Sequence, residues 1–361
     1  MVLGTVRWLF QRLMTLVWPR LPRSTLGAFA LPPEIILMIT AYLPSPSRLC
    51  LAITCRTLYD LCFPQHSCLN TAEKEELLLL LEKDTASLYF CHYCTELHRW
   101  CTRWSNSIFT WVLDEDLPCQ TSDRNALRAF GIRNKIPYHH VRLVMNRHFY
   151  GPSHGLPLKK LEDRCSSTYH PGIVESSSRH ACIIDSKLLL HSVITLHQSR
   201  GSSKILRSFV DTWIFHACEH LTLGKGKPSY SPIQLPELVK GKDTPGRYVA
   251  CDQSCGSCTL CPTDYCIDIT WSGRAKGYVI KLSTYHQLGG CRSPSDWSWR
   301  TMSEMLTAEE PRTAFPLEYG PGSIRDRWNK AEGIDSRTEC EWIEIPGLHT
   351  YRQRRMQGDS V

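Results

Sequence analysis

Apolar residues recur at helical spacing from the start of residues 31–62. Leu31, Ile35, Ile39 and Leu43 stand four apart and fall on one helix face. Pro32 and Pro33 suit a first helical turn, where a missing N–H costs nothing, and Pro44 ends the run. Ser45 followed by Pro46 opens a second helix carrying Leu49, Ala52 and Ile53. Thr54 is the expected cap of a third, with Cys55, Leu58, Tyr59 and Cys62 on its apolar side. So small a unit has little core of its own and must pack on the rest of the chain or on a partner. Thr71–Asp84 reads as another helix, filled with strong helix formers and acidic near its start. Residues 123–130 and 137–148 read as helices, and 205–223 as helical in part.

Strand patterns follow in the second half. Residues 181–198 read as two strands around a turn at Asp185-Ser186-Lys187, and Tyr265–Trp271 alternates as a strand. Tyr278–Leu282 repeats that pattern after a turn at Ser272–Gly277. Residues 224–247, rich in Gly, Pro, Lys and Ser, read as a surface loop, and the polar, basic stretch after 346 as a flexible tail. No fixed-period repeat is present. The class expected is α+β: a three-helix module, then a mixed domain of helices and antiparallel strands. The divisions are 1–29, an amphipathic or flexible segment; 30–65, the helical module; 66–345, a cysteine-rich domain; and 346–361, the tail.

Composition narrows the function. With 42% hydrophobic and 21% charged residues, the 361-residue chain has the make-up of a folded protein. Its net charge of +7 is scattered, whereas nucleic-acid binders concentrate theirs, so no nucleic-acid partner is expected. Arg7, Gln11 and Arg12 interrupt the apolar series of residues 1–18, which argues against a signal peptide or a transmembrane span. That segment reads as a packed helix or a frayed extension, with a membrane-surface helix or a mitochondrial leader as alternatives. An intracellular setting follows, in cytoplasm or nucleus. There the 18 cysteines read as thiols or metal ligands rather than disulfides.

Two cysteine knuckles stand out. Cys91-x2-Cys94 is one, and Cys255-x2-Cys258-x2-Cys261 another. A Cys-x2-Cys turn presents two thiolates to one side of a tetrahedral zinc ion, so two turns close a structural site. The set proposed on this ground is Cys91, Cys94, Cys258 and Cys261, with Cys255, Cys218, His216 and His220 as alternative ligands. Structural zinc is thus the cofactor expected, holding the start of the domain against its C-terminal hairpin. His216-Ala-Cys-Glu219-His220 also matches H-x-x-E-H, which on a helix is a zinc-hydrolase pattern with Glu219 as base. No further carboxylate ligand is identifiable, and the hydrolase is the lesser alternative. Arg142, Arg147 and His148 can share a solvated basic helix face, and Trp297 and Trp299 are core or ligand-edge aromatics.

The order Leu31-Pro-Pro-Glu-Ile35, then Tyr42-Leu-Pro44, Leu49-Cys-Leu-Ala52 and Cys55-Arg56 resembles the F-box motif. That resemblance implies docking to the Skp-family adaptor of a cullin-type (SCF) ubiquitin ligase. By position it implies adaptor contacts at Leu31, Pro32, Ile35, Leu43, Leu49, Cys55 and Leu58. Leu58 stands where the family often has Trp. Leu88–Trp100, Val144–His148, Tyr150–Gly155, Thr263–Tyr265 and Leu288–Trp299 resemble a broad group of F-box proteins of filamentous fungi. The expectation is a non-catalytic receptor subunit that binds adaptor and ligase core at one end and a target protein, whose identity the sequence does not disclose, at the other. A zinc-stabilised nucleic-acid or protein-binding module outside a ligase is the alternative.

Overall fold

The computed structural model describes residues 31–63, 69–100, 126–127, 136–169, 172–198, 203–212, 215–224, 233–235, 238, 248–273, 277–303, 319–334, 343–345 and 348–355. The segment 1–29 and most of the loop 224–247 lie outside them. The chain divides into two compact units, 1–101 and 102–361.

The first unit begins with the three expected helices, α1 Pro33–Ala41, α2 Ser45–Ala52 and α3 Arg56–Cys62. Ile36, Ala52, Leu58 and Cys62 form their core, with Leu51, Cys55, Leu61 and Phe63 packed against it. The third cap differs from expectation. Cys55, not Thr54, is the N-cap, and its Sγ accepts from the Leu58 N–H at 3.4 Å. Arg48 on α2 closes the other end of α1: its Nε donates to Thr40 O at 3.0 Å.

α4 spans Thr71–Asp84 as expected. Asn70 and Glu73 form a reciprocal capping box, each accepting from the other's backbone N–H at 2.9 Å. Strands β1 Leu88–Cys91 and β2 Glu96–Arg99 form an antiparallel hairpin. The fully buried Glu82 of α4 accepts from the Phe90 N–H at 2.9 Å, which ties the hairpin to the helix.

In the second unit, β3 Ala126–Leu127 pairs with β4 Ile136–Pro137, so the helix expected over 123–130 gives way to a strand at 126–127. Both residues of β3 are buried, and pairing with a neighbour overrides their local helix preference. α5 Tyr138–Tyr150 follows. Arg142 is interior, not part of a solvated basic face: it is fully buried and donates to Arg292 O. Arg147 is half-buried and donates to Pro152 O at 2.8 Å. Gly155 presses on α5 so closely that a Cβ there would sit 1.7 Å from Leu143 O, leaving room only for glycine.

β5 Asp163–Tyr169, β6 Ile173–Ile184 and β7 Lys187–Gln198 enter the main sheet. The β6–β7 turn is Asp185–Ser186, both with positive φ (49° and 57°), the sign a tight two-residue hairpin turn demands. α6 Ser203–Thr212, β8 His216–Cys218, β9 Leu221–Thr222 and β10 Ile233–Gln234 come next; the last three form a small sheet. β11 Cys251–Cys258, over the cysteine-dense stretch, is a strand not expected there, whereas β12 Thr263–Trp271 and β13 Tyr278–Gly289 match the two strand patterns read from sequence. α7 Trp297–Ser303 and α8 Ser323–Ala331 precede β14 Ile343–Ile345 and β15 Leu348–Arg355.

The eight-stranded sheet runs β14-β15-β11-β12-β13-β7-β6-β5, antiparallel throughout. The expected flexible tail therefore includes a paired strand. Its backbone groups bond to β11, and that pairing asks nothing of side-chain polarity. On β7, Leu188, Leu190, Ile194 and Leu196 are buried on one face. On the opposite face Leu189 and Tyr285 form a second core with Ile324 and Trp328 of α8. Trp299 is fully buried and Trp297 partly so.

Candidate functional site

Two kinds of chemistry stand out, an exposed apolar helix face and two groups of thiols and imidazoles. The face belongs to α1. Ile36 and Thr40 turn inward, while Leu31, Ile35, Leu37, Met38, Ile39 and Tyr42 are exposed, Met38 at 59% and Tyr42 at 88%. So many large apolar side chains on one short segment are costly to leave in water and mark a surface made for a partner. Of the residues expected to face an adaptor, Leu31, Pro32 and Ile35 are exposed, and Leu43 and Cys55 partly so. Leu49 and Leu58, however, are buried within the chain. Small Leu58 fits inside the three-helix core. Sequence reading missed Leu37, Met38 and Tyr42; the available signal was that α1 is apolar nearly all round.

The second unit gathers Cys218, His220, Cys258 and Cys261. One ligand atom from each lies within 4.8 Å of all the others, and all four residues are buried. The elements explain the convergence. Cys218 ends β8, His220 sits in the turn to β9, Cys258 ends β11, and Cys261 lies in the connection to β12. The Leu260 N–H donates to Cys258 Sγ at 3.3 Å, and His220 Nδ1 stands 3.5 Å from the same sulfur.

Burial pushes the Cys258 thiol up, but hydrogen bonds with Cys218, Cys261 and His220 outweigh it and hold Cys258 well below the ordinary range. Burial then drives Cys218 and Cys261 well above it. The cluster thus carries one readily formed thiolate among thiols that keep their protons. A divalent cation would favour loss of the others, because it neutralises charge that burial penalises. The donor set can hold a metal ion, and its full burial suits a closed structural site.

The first unit gathers Cys91, Cys94 and His98, again with ligand atoms within 4.8 Å of one another. The four-cysteine set expected from sequence is thus divided: Cys91 and Cys94 join His98, while Cys258 and Cys261 join two of the alternative ligands, Cys218 and His220. His98 was missed, although the spacing Cys91-x2-Cys94-x3-His98 was visible. Cys255 is joined to its cross-strand neighbour Cys266 by a disulfide, which removes it from the candidate ligands. This cysteine pair departs from the expectation of thiols throughout. His216 begins β8, outside the four-residue group. The H-x-x-E-H run is strand and turn rather than helix, so His216 and His220 do not share the helical face the hydrolase pattern requires.

A family model then matches one of these regions. It is the F-box-like model, over residues 28–66. The match covers the three helices, so the chain carries an F-box-like domain at this position, followed by mixed helices and antiparallel sheets. Neither the curated proteins nor the solved structures contain a match to the chain. Among the described residues no helix is long and apolar enough to cross a membrane.

Proposed function

We propose that the protein is a substrate-receptor subunit of a cullin-type (SCF) ubiquitin ligase. The F-box-like match at residues 28–66 carries this reading, and the exposed apolar face of α1 supports it. Leu31, Pro32, Ile35 and Met38 dock the Skp-family adaptor, with Leu43 and Cys55 at the margin. Leu49 and Leu58 act from beneath by holding the helices together. The mixed domain that follows recruits a target protein. Ubiquitin transfer belongs to the partner enzymes, so the chain is a binding subunit and not an enzyme, working inside the cell in cytoplasm or nucleus. The motifs that resemble fungal F-box proteins agree with this reading. Zinc held by Cys218, His220, Cys258 and Cys261 braces the target domain by joining the β8–β9 turn to the β11–β12 hairpin.

Co-purification with the adaptor tests docking. Ile35→Glu with Met38→Glu should reduce retention at least tenfold while leaving the thermal transition unchanged, because both side chains are solvent-exposed. Leu58→Ala should instead destabilise the first unit by about 2–4 kcal/mol, as truncation of a buried leucine does. Equal retention of adaptor by the wild type and the double variant, or retention by neither, would sink the proposal.

A further inference from the structure

We infer that the first unit holds a zinc ion of its own, bound by Cys91, Cys94 and His98 of the β1–β2 hairpin. The inference is independent of the receptor reading and of the site in the second unit.

Three observations converge. The ligand atoms of Cys91, Cys94 and His98 lie within 4.8 Å of one another, and Cys94 Sγ stands 2.9 Å from His98 Nε2. Cys91 and His98 are buried at 5% exposure each, with Cys94 at the rim. The backbone between the cysteines is a knuckle. The Thr95 N–H donates to Cys91 O at 2.9 Å, and Thr95 itself is left-handed at φ 54°. A β-branched residue rarely adopts that conformation, and such strain persists where its surroundings impose it. Here it folds the chain back so that Cys91 and Cys94 reach the same point.

The register supplies the third donor. Cys91 pairs with Glu96 and Tyr89 with His98, so Cys91 and His98 share one face of the hairpin, one step apart. Two thiolates and an imidazole suit zinc over calcium or magnesium, which prefer oxygen. Among the described residues these three are the donors that meet. Binding releases the thiol protons of Cys91 and Cys94 to solvent. The hairpin is tied to α4 through Glu82 and the Phe90 N–H, so this ion braces the unit that contains the F-box-like helices.

Zinc titration of the metal-stripped full chain tests the site. Two equivalents are expected for the wild type, and one for Cys91→Ser/Cys94→Ser or for Cys258→Ser/Cys261→Ser. Chelator should remove the hairpin ion first, because Cys94 is partly exposed while the four residues of the other cluster are buried. A wild-type count, of two or of one, that survives Cys91→Ser/Cys94→Ser unchanged overturns the site, whereas a single wild-type equivalent lost in that variant supports it. If the double variant does not fold, His98→Asn takes its place. Loss of one equivalent, or at least tenfold weaker binding of one, supports the site; two equivalents at wild-type affinity overturn it.

Discussion

At the residue scale, single polar groups decide how elements are joined. Asp264 on β12 is buried, yet its carboxylate accepts from the N–H groups of Gly322 at 3.2 Å and of Ile324 and Arg325 at 2.9 Å each. The Ser257 hydroxyl also donates to it, at 2.5 Å. The carboxylate thus serves the first-turn donors of α8, which a helix leaves unmet. Asp264→Ala would strand those donors in the interior and should cost about 2–4 kcal/mol in denaturant unfolding. An unchanged urea midpoint would show that water replaces the carboxylate. The sequence places Asp264 on an alternating strand, but it cannot say that a helix about sixty residues later starts above it. Arg142 teaches the same lesson, because only the fold puts Arg292 O within its reach.

At the element scale, local pattern and structure agree best where one periodicity dominates. The α4 helix and the β6–β7 hairpin match the reading closely, because leucine-rich helix formers and a short polar turn admit few alternatives. The hairpin still carries local strain, with two L-residues in left-handed conformations at its turn. Ser186→Gly should relieve part of it and raise stability by about 0.5–1 kcal/mol, read as a higher urea midpoint. A fall would mean that the Ser186 hydroxyl contact to His148, at 3.3 Å, matters more than backbone strain. Elements whose identity depends on a distant neighbour were harder to read. Ala126–Leu127 and Leu348–Arg355 are strands because β4 and β11 lie beside them, not because of their own composition.

At the scale of the whole molecule, the buried His140 and the half-buried His191 make stability depend on pH. Burial is the main cause that lowers His140 and His191 from 6.5 to about 4 each. Lys160 and Arg179 add to it at His140, and His180 and Lys281 at His191. Between pH 6.5 and about 4 the unfolded chain takes up protons that the folded one refuses. Stability therefore falls as pH drops through that window, by on the order of a few kcal/mol in total. Urea midpoints at pH 7 and pH 5 should differ in that sense, and equal midpoints would refute it. The zinc proposed for the two clusters carries a prediction of its own. Stripping zinc with a chelator should lower the melting temperature by on the order of 10 °C, with restoration on adding zinc back. No shift would mean that the thiols pack well without an ion.

By itself, the sequence determined the three-helix module, its F-box resemblance, the main strand patterns and the presence of metal-type cysteine spacings. Each rests on local periodicity or on residues a few positions apart, and these survive whatever surrounds them. The tertiary structure decided which face of α1 stays in water, and that Leu49 and Leu58 turn inward. It also decided how the cysteines divide. Cys258 and Cys261 meet Cys218 and His220 because the small sheet brings the β8–β9 turn to the end of β11, whereas Cys91 and Cys94 meet His98 across their own hairpin. Ligand sets and buried faces depend on which distant segments become neighbours, and spacing along the chain does not carry that information.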